Sequence, residues 1–218
     1  MNGLKGHFIT FEGGEGSGKT TQLTRLRRDL LKRGYAVIQT REPGGTKIGD
    51  EIRQLILHPP GPEDSIDPMT ELFLYLASRV QHTREVILPA LQEGKIVLCD
   101  RFTDATIVYQ GMGRGLPEKM VAQMVRYAAQ RGHSEGLPLE PDLTLLLDLE
   151  VKVGIARVKG RQEINRIDRE TFRFHESVRQ GYLSLAKGNP KRIHVINAGA
   201  DLETVSGEIG EIVDAFLS

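Results

Sequence analysis

Apolar residues along this chain follow two alternating rhythms. Short, nearly continuous apolar runs at 7–11, 36–40, 96–99, 143–147 and 192–196 have the length and density of strands buried on both faces. Between them, apolar positions recur at helical spacing over about 19–33, 47–57, 68–93, 117–131, 168–187 and 201–217. Such alternation predicts an α/β fold, a parallel sheet with helices on both faces. The helix beginning at Pro68 has a clear start: Asp67 can cap it and Pro68 suits the first helical position. Gly94 closes it, and Pro89 is expected to kink its last turns. The stretches 41–46, 58–66, 110–116 and 131–142 read as loops. There are no internal repeats and no low-complexity linker, so the 218 residues read as one domain, 1–218.

Charge and cysteine usage narrow the function classes. Lys+Arg and Asp+Glu each total 29, and this balance argues against a general nucleic-acid binder while leaving room for a local basic site. The single cysteine, Cys99, permits no internal disulfide and has no metal-site spacing. No apolar run approaches the roughly 20 residues that cross a bilayer, and the first residues lack the apolar core of a signal peptide. The expectation is a cytoplasmic protein with no membrane and no nucleic-acid partner.

The chemistry begins at "FEGGEGSGKTT", residues 11–21. Gly13-x-x-x-x-Gly18-Lys19-Thr20 is a complete P-loop, placed after a strand and before a helix as that motif requires. Glycines there let backbone N–H groups converge on phosphate oxygens at a helix N-terminus. Lys19 would reach the β- and γ-phosphates, and Thr20 would ligate Mg²⁺. No Asn-Lys-x-Asp motif is present, which removes the guanine-reading GTPases.

Other segments point to a second pocket. "VLCDR" ends a strand with Asp100-Arg101, where an open α/β sheet faces its ligand crevice; Asp100 suits Mg²⁺ and Arg101 a phosphate. Asp148 ends another strand, although an aspartate there often only starts a turn. In "TREPGGT", 40–46, Pro43 and two glycines make a stiff turn and Arg41 sits at the crevice side of its strand; Arg53 follows on the next helix, where solvated arginine is the ordinary outcome. Tyr75 and Arg79 lie i, i+4 and share a helix face, able to stack a base and donate to it, although an ordinary amphipathic helix gives the same spacing. Thr106, Tyr109 and Gln110 repeat that arrangement ahead of a glycine-rich exit. The basic segment 156–168, with Arg157, Arg161 and Arg166, reads as a solvated face or as a mobile segment that brings charge to a transferring phosphoryl group.

Taken in order, "FEGGEGSGKTT", "TREPGG", "ASRVQ", "DR" with "YQG", "PDLTLLLD" and "RIDRETF" resemble the thymidylate kinase family nearly end to end. The resemblance implies a three-layer α/β/α P-loop kinase fold with a five-stranded parallel sheet, a helical lid at about 157–168, and a homodimer. It implies ATP-dependent phosphorylation of dTMP to dTDP, in dTTP biosynthesis, with Mg²⁺. By the same resemblance Gly13, Gly16, Ser17, Gly18, Lys19, Thr20 and Thr21 bind the ATP phosphates, and Asn197 lies where the family closes over adenine. Tyr75 stacks on thymine, Arg79 donates to its carbonyl, and Thr106 and Gln110 lie near base and sugar. Tyr109 disfavours a ribose 2′-hydroxyl. Arg101, with Arg53 and Arg41, holds the dTMP phosphate. Glu15 accepts from the 3′-hydroxyl, or holds an acceptor-side arginine or a Mg²⁺-bound water. The P-loop supplies no second basic residue, so the lid is expected to supply it: Arg161 first, then Arg157 and Arg166. Phe102 and the six histidines receive no role. The stretch 127–141 is longer than the family's usual connection and reads as a surface insertion.

Two other classes stay open at this point: another nucleotide or deoxynucleoside kinase, and a non-catalytic P-loop regulatory module. Phosphate transfer across a nucleotide panel separates all three.

Overall fold

In the computed structural model, which describes residues 5–60, 65–131, 137–160 and 164–218, five strands form one parallel sheet. They are β1 (His7–Glu12), β2 (Val37–Arg41), β3 (Ile96–Asp100), β4 (Leu143–Asp148) and β5 (Ile193–Asn197), in spatial order β2-β3-β1-β4-β5. The helices are α1 (Lys19–Lys32), α2 (Lys47–Leu57), α3 (Pro68–His82), α4 (Leu88–Gln92), α5 (Thr103–Thr106), α6 (Glu118–Ala128), α7 (Val151–Lys159), α8 (Phe172–Gly188) and α9 (Leu202–Leu217).

Strand alternation divides the core between the two faces. Ile9 and Phe11 of β1 pack with Leu23, Leu26 and Leu30 of α1 and with Val205 and Ile209 of α9. Phe8 points the other way, into a cluster with Leu88, Leu91, Val97 and Phe102. Thr10 and Glu12 share Phe8's side of the strand and are buried polar residues; Thr10 Oγ1 and Thr144 Oγ1 hydrogen-bond at 2.8 Å. Every strand ends on a polar residue just past its apolar run: Glu12, Arg41, Asp100, Asp148 and Asn197. These ends define the crevice edge of the sheet.

The expected start of α3 is observed, with Asp67 accepting from Met69 N and Thr70 N and with Pro68 in the first turn. The expected kink takes the form of a π turn at Thr83–Ile87 just before Pro89, whose missing N–H cannot continue the i→i−4 ladder. Of the stretch 110–116, residues 114–116 form the expected loop, but 110–113 do not. Residues Ile107–Gly113 form a second π-helical segment that continues α5. One of its two glycines and one of α8's serve packing: a Cβ on Gly113 would meet Phe174 at 2.8 Å, and one on Gly181 would meet Met112 Sδ at 2.5 Å. Helix α7 was not anticipated as an element. The helix expected at 168 starts at Phe172, where Thr171 caps Phe174 N.

The stretch 127–141 is not wholly a surface insertion. Ala129 and Leu139 are buried with Phe8 and Phe102, joined by Leu139 N to Ala129 O at 2.7 Å. Among the described residues, no helix is long and apolar enough to cross a membrane.

Candidate active site

The P-loop bends between β1 and α1. Gly13, Gly16 and Gly18 have φ of 140°, 74° and 89°, a region L side chains rarely adopt, so glycine is required at each. At Gly16 there is a second reason: a Cβ would run into the carbonyl of Gly154 on α7, and one on Gly154 would run into the carbonyl of Glu15. Lys19, in the first turn of α1, is buried and donates from Nζ to Gly14 O at 2.8 Å, Gly13 O at 3.1 Å and Ser17 Oγ at 3.3 Å. Burial and the Arg101 charge push its ammonium down to about 8, against the pull of Glu15 and Asp100.

Parallel register sets Asp100 beside Phe11, and so beside the start of the loop. Thr20 Oγ1 donates to Asp100 Oδ2 at 3.0 Å. Among the described residues no group of three or more His, Cys, Asp or Glu could hold a metal ion. One hydroxyl and one carboxylate at the phosphate loop nonetheless fit Mg²⁺, a hard cation commonly held by one or two protein oxygens together with substrate phosphates.

Arg101 has φ of 70°, the one non-glycine residue with positive φ among those described. Arg101 N donates to Phe11 O at 2.9 Å and Phe102 N to Glu12 Oε1 at 2.7 Å, so β1 holds this turn on both sides. The Arg101 guanidinium donates to Glu15 at 2.6 Å, Gly13 O at 2.9 Å and Tyr182 Oη at 3.1 Å. Glu15 also accepts from Tyr109 Oη at 2.9 Å. Burial would raise the Glu15 carboxyl, but Arg101, Lys19 and the Tyr109 hydroxyl outweigh it and hold the group at about 2. Of the partners expected for Glu15, the arginine is the one the structure displays. Tyr182 in turn donates to Glu12 at 2.7 Å, and burial with the nearby Asp104 charge lifts that carboxyl well above its usual range.

Two cavities meet here. A cleft of about 950 Å³ runs along the P-loop, with Glu15, Gly16, Ser17, Gly18, Lys19, Thr20, Thr21, Arg41, Arg53 and Asp100 in its walls. A narrower cavity is lined by Tyr75, Arg79, Phe102, Thr106, Tyr109 and Gln110. Glu15, Glu42, Arg53, Arg101 and Asn165 line both. Arg53 Nη1 donates to Pro43 O at 3.1 Å; the peptide bond before Pro43 is cis. Arg41 pairs with Asp50 at 3.0 Å in an exposed position.

The narrower cavity rests on buried charge. Arg79 is 1% exposed, donates to Glu42 and to Phe102 O and Thr106 Oγ1, and stacks over the Phe102 ring. Glu42 is also held by His82 Nδ1 at 3.0 Å, and His82 Nε2 lies 2.6 Å from Thr40 Oγ1. Arg79 Nη1 and Gln110 Oε1 are buried with no hydrogen-bond partner among the described residues. Burial pushes the Tyr75 hydroxyl up to about 12, so it stays neutral.

Several expected residues lie apart from the cleft. Arg157 Nη1 reaches Gly16 O at 3.3 Å and Ala198 O at 3.4 Å. Asn197 accepts from Gly199 N at 3.0 Å. Neither lines the two cavities. Arg161 lies outside the described residues. Arg166 is buried and donates to Glu71 and to Ile56 O. Asp148 forms a bidentate pair with Arg179 at 2.8 and 2.9 Å. Phe102, given no role from sequence, packs edge-on to Phe8 and walls the narrower cavity. Glu12, Glu42, Glu71, His82, Gly154 and Tyr182 were also missed. The polar residue closing each strand was the available signal for Glu12.

A glycine cradle with an invading lysine, opened onto a second pocket across an arginine, defines a P-loop phosphotransferase with its own acceptor site. A family model described as thymidylate kinase matches residues 11–209. The chain is 47% identical to a thymidylate kinase of Pelobacter propionicus, over 94% of this chain and 92% of that one. It is 46% identical to one of Geobacter sulfurreducens, over 95% and 96%. A crystal structure of thymidylate kinase from Ehrlichia chaffeensis superposes with a TM-score of 0.74 at 33% identity, covering 96% of this chain and 98% of that one. The chain belongs to the thymidylate kinase family.

Proposed function

We propose that this chain transfers the γ-phosphoryl group of ATP directly to the 5′-phosphate of dTMP, giving dTDP for dTTP synthesis. The observation that carries the reading is the wall shared by the P-loop cleft and the narrower cavity, which includes Glu15, Arg53 and Arg101 beside Glu42 and Asn165. Two nucleotides in those cavities would meet phosphate to phosphate at that wall.

The acceptor phosphate has a second pKa near 6, so at neutral pH it is largely a dianion and requires no general base. The difficulty is repulsion, roughly 4 kcal/mol for each pair of like charges 4 Å apart at an effective dielectric of about 20. Lys19 answers it from the donor side and Arg101 from the acceptor side, each fixed by several hydrogen bonds before substrate arrives. Glu15 and Tyr182 orient Arg101. Arg41 and Arg53 add positive charge along the cleft, and Tyr109 bounds the sugar. Mg²⁺ held by Thr20 and Asp100 would neutralise charge on the donor phosphates. Arg161 and Arg157 stay the arginines proposed for the lid at about 157–168.

In the narrower cavity the unpartnered donor Arg79 Nη1 and acceptor Gln110 Oε1 are the groups that would serve a carbonyl and the adjacent N–H of thymine. Tyr75 supplies a stacking face. Thr106, already accepting from Arg79, fixes that arginine rather than reading the base directly.

The test is ADP release with ATP and a panel of dTMP, dUMP, dCMP, GMP and thymidine. dTMP is expected to have the highest kcat/KM, with dUMP next because one methyl is worth only about 1–3 kcal/mol. Preference for thymidine, or no acceptor-dependent turnover, rejects the reading. We further propose a cytoplasmic homodimer that works as one P-loop kinase domain per chain.

A further inference from the structure

Gln110 is held by a carboxylate that none of the roles above explains. Glu71, on α3, is 0% exposed. It accepts from Gln110 Nε2 at 2.8 Å, from Arg114 Nε at 3.1 Å and from Arg114 Nη2 at 3.2 Å, and it pairs with Arg166. Burial alone would raise this carboxyl, but the two arginines more than offset that and keep it below the usual range. An ionised carboxylate can only accept. Gln110 must therefore turn its –NH₂ toward Glu71, and its carbonyl Oε1 is left as the other polar end. Oε1 is buried and has no partner among the described residues.

Thymine and uracil carry N3–H, a donor, whereas cytosine has a lone pair at N3. A free glutamine can flip and satisfy either, because its amide has both a donor and an acceptor end. Glu71 removes that choice. Resting on the narrower cavity as the pyrimidine site, we propose that Glu71 is a specificity-determining positioning residue: it locks Gln110 with its carbonyl toward the base and so favours a pyrimidine that donates at N3. The nearby Arg79 reads the neighbouring carbonyl independently, since its own anchor is Glu42.

The experiment is steady-state kinetics of the full chain with ATP and dTMP, dUMP or dCMP, on wild type, Glu71→Gln, Glu71→Gln/Arg166→Gln and Gln110→Met. Gln at position 71 keeps the shape but can donate to Gln110, so both amide orientations become open. For Glu71→Gln, kcat/KM for dTMP is expected to fall about tenfold, mainly through KM, the worth of about one hydrogen bond. dCMP falls less or rises, so the dTMP:dCMP ratio narrows, and dUMP follows dTMP because both share N3–H. The double variant removes the buried cation that the lost carboxylate would leave unpaired, and the same narrowing is expected there. Gln110→Met leaves Glu71 and its arginines in place and must narrow the ratio as well. A purely structural Glu71 would lower both nucleotides together; an unchanged ratio in the folded variants, or in Gln110→Met, overturns the proposal. Wild type separates the two readings. If it neither phosphorylates dTMP nor prefers it to dCMP, the pyrimidine site itself is misassigned. If it prefers dTMP and the variants keep that preference, only the role of Glu71 fails.

Discussion

Glu15 is a negative side chain in a loop that must hold phosphates, and its partners explain why it is tolerated. Arg101, at 2.6 Å, and Lys19 face it, so the carboxylate steadies the cations that the phosphates need. Its proton affinity makes this measurable. The carboxyl sits at about 2 in the folded chain, against an ordinary unfolded value of about 4.3. The unfolded chain therefore binds the extra proton between those values, and stability rises with pH across that window. The contribution is complete above about pH 5 and disappears as pH falls toward 2. In urea titrations, Glu15→Gln should be less stable than wild type near neutrality, by at most about 3 kcal/mol. The gap should close progressively below about pH 4.5. A gap independent of pH would mean that Glu15 stabilises by shape rather than charge. Glu15 was legible as an anomaly in the sequence, whereas Glu42 and Glu71 were not. Buried anchoring carboxylates carry no local signature, because their partners lie 37 residues away at Arg79 and 95 away at Arg166.

At the scale of elements, periodicity recovered all five strands and most helices, because their burial is one- or two-sided and regular. It stopped one residue short on the strands, since Glu12, Arg41, Asp100, Asp148 and Asn197 break the apolar run just where the site begins. It failed at residues 110–113 and at α7, where glycine reads as a breaker but serves as a close-packing surface. Gly154 is the sharpest case. Gly154→Ala should push α7 away from the P-loop, costing about 1–3 kcal/mol of stability. Because the displaced loop backbone is on the ATP side, KM for ATP should rise more than KM for dTMP. Equal effects on both substrates would place the disturbance in the fold as a whole.

At the scale of the molecule, zero formal charge hides a cleft whose walls gather Lys19, Arg27, Arg41, Arg53 and Arg101 together with Glu15, Glu42, Asp50 and Asp100. Composition could exclude a broad basic surface but not show this concentration, which exists only after three strand ends converge. The outer surface has a second feature. Ile48, Leu55, Phe73 and Tyr127 are exposed large apolar side chains on α2, α3 and α6, and α3 packs against both of the others. That face suits the proposed homodimer. Light scattering should give twice the chain mass of 24.3 kDa, and Phe73→Glu should return it to a single chain. A wild-type monomer at micromolar concentration would leave this face without its proposed occupant. The contact of Gly16 with Gly154 has a bearing on inhibitors. Where main chain lies directly on main chain, neither position has a side chain to trade, so a compound gripping those atoms could be evaded only by changes that also spoil the seat for the enzyme's own phosphate donor.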